Sequence, residues 1–166
     1  LETPGDDAAT LDSVFWCSRE VLDMKILSIV GYLGMMGALL GLLATRSLFS
    51  ASPFVISLQS VALLLFLWAR ITFGRRSFHL AADPTEGGLV TSGPYRFIRH
   101  PIYAALCLFV LAAVAGRFSL KTGLLGALVL SSALIRILCE EALVSVRYPE
   151  YASYKTKTWR MVPYVF

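Results

Sequence analysis

The run ILSIVGYLGMMGALLGLLA, from Ile26 to Ala44, holds nineteen residues with no charge and no proline. At the ~1.5 Å rise of a helix it reaches about 28 Å, close to the ~30 Å hydrocarbon core of a bilayer. A second run, Pro53 to Phe73, matches it in length and opens on a proline, which the first helical turn tolerates. Two such runs in one chain make lipid the expected solvent. The composition agrees, because charged residues are 16% of the chain, where a soluble domain carries about 25%. The formal charge of +4 comes from basic residues flanking apolar runs, the pattern of a membrane border and not of a nucleic-acid surface. Cys17, Cys107 and Cys139 are scattered, with neither the spacing of a disulfide framework nor that of a zinc site, and no metal is expected.

Two shorter apolar stretches follow, Ile102 to Gly116 and Thr122 to Ile135, separated by the compact RFSLKTG and closed by Arg136. The expected fold is all-α, a polytopic membrane bundle of about four spans. It would be one domain: an N-terminal segment 1–23, two spans over 24–74, a loop over 75–101, a helical hairpin over 102–147 and a C-terminal segment 148–166. Gly34, Gly37 and Gly41, three and four apart, suggest a smooth stripe for close helix packing. Acidic residues dominate the chain before Lys25, unlike a secretory signal. With four spans, eleven basic residues share a side with the termini and the central loop, against Arg46, Arg117 and Lys121 on the other. Both termini are therefore expected in the cytoplasm.

Polar groups beside lipid carry the chemistry. Arg136 and Glu140 are four apart on one helix face, Arg147 returns near that face seven residues on, and Glu141 points about 100° away. Arg136, Glu140 and Arg147 are the catalytic candidates. Pro149 disfavours helix at Tyr148, so the helix should end near Arg147, and Tyr151 and Tyr154 should open a short surface helix. Plainer roles compete: lipid-phosphate anchoring for Arg75 and Arg76, a structural pair for Arg136 with Glu140, belt positions for the tyrosines, and a structural His79. Adjacent Glu140 and Glu141 resist the plain reading, since buried carboxylates need cations or donors.

Read together, GPYRFIRHPIY and the later EEALVSVRYPEYASY with Pro163 resemble the isoprenylcysteine carboxyl methyltransferase family, itself related to the membrane phospholipid N-methyltransferases. The resemblance covers about Thr91 to Pro163. Tyr148-Pro149 departs from the family's aromatic–glycine pair, and the step to Tyr151 is one residue short.

The resemblance implies S-adenosylmethionine as methyl donor, held in a cytoplasmic-side pocket. Arg96, Arg99 or His100 would take the donor's carboxylate, and Glu140 or Glu141 its ammonium or ribose hydroxyls. Pro94 and Pro101 would set the loop, Tyr95 and Tyr103 would wall the cofactor, and Tyr151 and Tyr154 would complete the pocket. The acceptor would be lipophilic and reach the site from the bilayer, by resemblance as a prenylcysteine-like carboxylate. A phospholipid or small lipophilic amine is the first alternative, and a non-enzymatic membrane scaffold the second. A related fold serves membrane sterol reductases, but no GxGxxG signature is present.

Overall fold

The structure is a computed structural model that describes residues 6–74 and 88–165, with the side chains of the first helix from Arg19 onward. Arg75, Arg76 and His79 lie outside the described residues. The first helix does not begin with its apolar run. α1 runs unbroken over Asp6–Ala44, and its apolar portion forms a candidate span, Arg19–Ala44. α2 covers Pro53–Phe73, with Pro53 in its first turn, and stops at Gly74, whose φ of 70° lies in the left-handed region that favours glycine. α3 is Pro101–Gly116, α4 is Leu120–Arg147, and α5 is the short Tyr151–Lys157. Among the described residues the molecule is all-helical apart from one isolated bridge between Ile98 and Trp159.

α1, α2 and α4 are each long and apolar enough to cross a membrane. Their outward residues fit that solvent: Leu33 is 61% exposed, Leu64 67% and Ile71 80%, apolar surface that water would penalise and lipid accepts. α3 has 16 residues, about 24 Å of helix, and is the shorter member. α4 runs past its apolar stretch to Arg147, where Pro149 predicts its end. It passes through Arg136, Glu140 and Glu141 to Arg147, because those polar groups find partners inside the protein. Its start is held by a capping box between Ser119 and Thr122.

The four long helices run alternately up and down. Gly41 of α1 lies against Leu125, near the start of α4, while Gly31 lies against Arg136 further along. Gly116 at the end of α3 lies against Val55 at the start of α2, and Phe73 at the end of α2 meets Tyr95 just before α3. The late part of α2, the start of α3 and the end of α4 therefore gather at one end of the bundle. α1 packs chiefly on α4 and α2 on α3, with Met35, Ala38, Leu42, Val110 and Val129 forming the core between α1, α3 and α4.

The packing stripe on α1 differs from its expected register. A Cβ on Gly34 would sit 2.9 Å from the Ser132 hydroxyl and one on Gly41 3.0 Å from Leu125, but one on Gly37 would meet no other helix within 4 Å among the described residues. Gly31 and buried Ala38 complete the contact face instead. At 100° per residue, positions 31, 34, 38 and 41 stay close to one line, whereas 37 swings away from it. Gln59, the buried polar residue of α2, donates to the Leu48 carbonyl at 2.8 Å.

Candidate functional site

Gly93 starts the approach to the site. Its φ of 57° and its contact with α2, where a Cβ would fall 2.5 Å from the Thr72 hydroxyl, leave room for glycine alone. It opens a tight 3-10 turn, Gly93–Arg96, that buries Pro94 and Tyr95. The Tyr95 ring packs on Phe73 at 5.4 Å, and its carbonyl accepts the Tyr154 hydroxyl at 2.6 Å. The chain then extends beside the tail. Trp159 N–H donates to the Phe97 carbonyl at 3.0 Å, Arg99 N–H to Trp159 at 2.7 Å, and His100 N–H to Arg160 at 2.9 Å. Pro101 ends this stretch: it cannot donate, it favours non-helical backbone at His100, and it begins α3.

These backbone bonds bring three donors onto Glu141. Arg99 Nε donates to its Oε1 at 3.0 Å, and His100 Nε2 lies 3.3 Å from the same oxygen. Arg160 reaches Oε2 through Nε at 3.1 Å and Nη2 at 3.0 Å. Arg99 also donates through Nη1 to the Thr158 carbonyl and, at 3.1 Å, to that of Lys155. Glu141 and Arg99 are almost closed off, with 6% and 7% of their side chains exposed. Glu141 thus fastens the tail to the start of α3.

Glu140 has a different setting. Tyr103 donates its hydroxyl to Oε1 at 2.5 Å, and Arg136 Nη2 stands 3.5 Å from that oxygen. Arg136 Nε in turn donates to the Tyr103 oxygen at 2.8 Å. His100 Nδ1 is 3.8 Å from Glu140 Oε2, so one imidazole lies between the two adjacent acids. The Glu140 side chain is 26% exposed, against 6% for both Arg136 and Glu141. Arg99, Arg136 and Arg160 set three permanent positive charges against two carboxylates, an excess suited to an anionic group.

Of the residues expected at the site, Arg99, His100, Tyr103, Arg136, Glu140 and Glu141 form this cluster, with Pro101 at its backbone. Tyr95 and Tyr154 stand beside it, joined through the Tyr95 carbonyl. Burial pushes the Tyr154 phenol up to about 12, with the Arg99 charge opposing. Buried Tyr151 packs on Tyr154 at 5.9 Å; burial first, and Glu141 after it, hold its phenol well above the ordinary range. Two expected residues lie apart. Arg96 is exposed over the Phe97 ring at 4.9 Å, and Arg147 is exposed in the last turn of α4. Arg160 and Thr158 were not expected. Nothing in KTKTWR predicts that the chain turns extended after α5 and lies along residues 97–100. No group of three or more His, Cys, Asp or Glu able to hold a metal occurs among the described residues.

A family model described as phospholipid methyltransferase matches residues 54–151, more than half of the chain. No curated protein and no solved structure matches significantly. The matched segment contains α2 from its second residue, α3, α4 and both glutamates of the cluster. The chain therefore belongs to the phospholipid methyltransferase family and is an integral membrane methyltransferase.

Proposed function

We propose that the protein transfers a methyl group from S-adenosylmethionine to a lipid-borne amine of the phosphoethanolamine type, at the cytoplasmic border of the bilayer. The observation that carries this reading is Glu140. It is the more exposed acid of an ionic cluster whose guanidiniums are turned toward protein oxygens.

The donor set fits the cofactor. Glu140 offers an anionic face to its ammonium, His100 and the positive excess of the cluster favour its carboxylate, and Tyr95 and Tyr103 are the aromatic walls. S-adenosylmethionine, when bound, supplies an electrophilic methyl on a sulfonium. The protein's part is alignment and exclusion of water, with Tyr103 and Arg136 holding Glu140 and the apolar helices closing the lipid side. Transfer to an amine forms a C–N bond as the C–S bond breaks, and requires a neutral nitrogen. Glu140 or His100 is placed to accept the proton of an ammonium headgroup.

A partly exposed acid suits a cationic headgroup better than an anionic acceptor. The prenylcysteine-like carboxylate suggested by the order of the motifs needs no base and would have to approach the cluster against Glu140. Basic flanks on the side of the central loop and tail support a reading with four crossings and with the site and both termini in the cytoplasm.

The test is binding of S-adenosylmethionine by calorimetry on detergent-purified protein, followed by transfer of labelled methyl into extracted lipid and into a prenylated peptide. Binding that Glu140→Gln abolishes, with stable label in the amine headgroup, is expected. Base-labile label in the peptide would replace the amine by a carboxylate. No donor binding by a folded wild type, with lipid present, would overturn the enzyme reading in favour of a scaffold.

A further inference from the structure

The family match begins after α1, yet the guanidinium nearest Glu140 is held by α1. Arg136 Nη1 donates to the carbonyl of buried Ser28 at 3.2 Å, and its Cζ stands 5.2 Å from the centre of the Tyr32 ring. Gly31 lies between them, so close that a Cβ would fall 3.2 Å from Arg136 Cγ. Residues 28, 31 and 32 share one helix face, and together they form a socket: a carbonyl, a gap and an aromatic plane. On its other side the same guanidinium holds the Tyr103 oxygen and Glu140.

Contacts therefore run from α1 through Arg136 to Tyr103 on α3 and Glu140 on α4. We propose that Arg136 is a positioning residue seated in this socket, and that α1 thereby sets the orientation of Glu140. The proposal rests on the reading that Glu140 faces the donor. Arg136 is poorly suited to touch the donor itself, since only 6% of its side chain is exposed and Nε, Nη1 and Nη2 all point at protein oxygens. A guanidinium is a rigid planar fork, so fixing one edge against α1 fixes the direction of the other. A lysine offers a single point charge and would lose that coupling.

The experiment uses the full chain in nanodiscs. Tyr32→Leu removes the ring, Tyr32→Phe keeps it, and Leu33→Ala alters the neighbouring exposed position of the same helix. Tyr32→Leu should weaken S-adenosylmethionine binding about tenfold, with Tyr32→Phe within about twofold of wild type. Leu33→Ala should match wild type. The KM for donor should rise while that for the lipid acceptor holds, a split that general loosening of the bundle would not produce. Melting temperatures supply a reading independent of the donor. Tyr32 also packs on the core, so once Arg136→Met has removed the cation, Tyr32→Leu should shift melting by less than it does in the wild type.

Additive melting shifts, or wild-type donor affinity in folded Tyr32→Leu, would overturn the proposal. If the wild type binds no donor, the cofactor reading fails, while the melting comparison still decides the contact between α1 and Arg136. Should Tyr32→Leu fail to fold, Gly31→Ala takes its place. Its methyl would press on Arg136 Cγ, and unchanged donor affinity in that variant would refute the coupling.

Discussion

Glu140 and Glu141 are adjacent, yet replacing each by glutamine should separate fold from function. Glu141 is nearly closed off and receives Arg99, His100 and both reaching nitrogens of Arg160, at 3.0–3.3 Å. Removing one partner of a buried ion pair costs about 3–5 kcal/mol, because the remaining charge stays buried without compensation. Arg160 is 26% exposed and can turn to water, so the lower end of that range, about 3 kcal/mol, is expected for Glu141→Gln. For a chain of this size that is about 6–12 °C in melting temperature. Glu140→Gln preserves the shape of a more exposed side chain and still accepts from Tyr103, so its cost should be about 1 kcal/mol. Donor binding should reverse the order: abolished in Glu140→Gln, but measurable below the lowered melting point in Glu141→Gln. Thermal unfolding in detergent with calorimetry on the same samples gives both readings. A Glu141→Gln protein that melts with wild type, or a Glu140→Gln protein that binds donor as wild type does, would refute the assignment of roles.

Three further outcomes follow from the packing and the charges. Tyr154→Phe loses the 2.6 Å bond to the Tyr95 carbonyl and should cost about 1 kcal/mol. Burial pushes the Tyr154 phenol up to about 12 from its ordinary value near 10, so the stability of the neutral phenol is complete below pH 10 and is lost as pH rises toward 12. The melting advantage of wild type over Tyr154→Phe should shrink across that window and reverse toward its alkaline end. Gly34→Val should cost about 1–3 kcal/mol by pushing α1 off Ser132, while Gly37→Ala, with open space around it, should be neutral or slightly stabilising in melting assays. Arg147→Ala should leave methyl transfer within about twofold of wild type, a change typical of an exposed position away from packed or charged features; a larger loss would return Arg147 to the site.

Helices were legible where their cause is local. Pro53 and Pro101 mark the starts of α2 and α3, Pro149 marks the end of α4, and the tyrosine pair marks α5. Each is a matter of proline geometry or apolar periodicity within a few residues. The start of α1 was less legible, because the apolar count ends where the first charges appear. Arg136 does not end α4, since its partners are Ser28, Tyr32 and Tyr103 on two other helices. Pairing of that kind is set by tertiary packing, and spacing along one helix carries no record of it. The glycine stripe shows a smaller version of the same limit: three glycines at plausible intervals, of which Gly37 faces away from the partner helix.

Adjacent acids on a helix point about 100° apart, and this geometry accounts for the division of the site. With Glu140 turned toward Arg136 and Tyr103, Glu141 must point about 100° aside, toward whatever the chain brings there. It brings the RHP stretch and a tail that is extended after α5, tied by the backbone bonds between 97–100 and 159–160. The tail closes the circuit: Arg160 adds a second guanidinium to the Glu141 carboxylate, beside Arg99 and His100, while Arg99 also holds the tail through the Thr158 and Lys155 carbonyls. Charges this costly beside lipid persist because each is shared, one imidazole between two acids and two guanidiniums on a single carboxylate. Disturbing the tail should therefore reach the donor side through His100, which touches both glutamates.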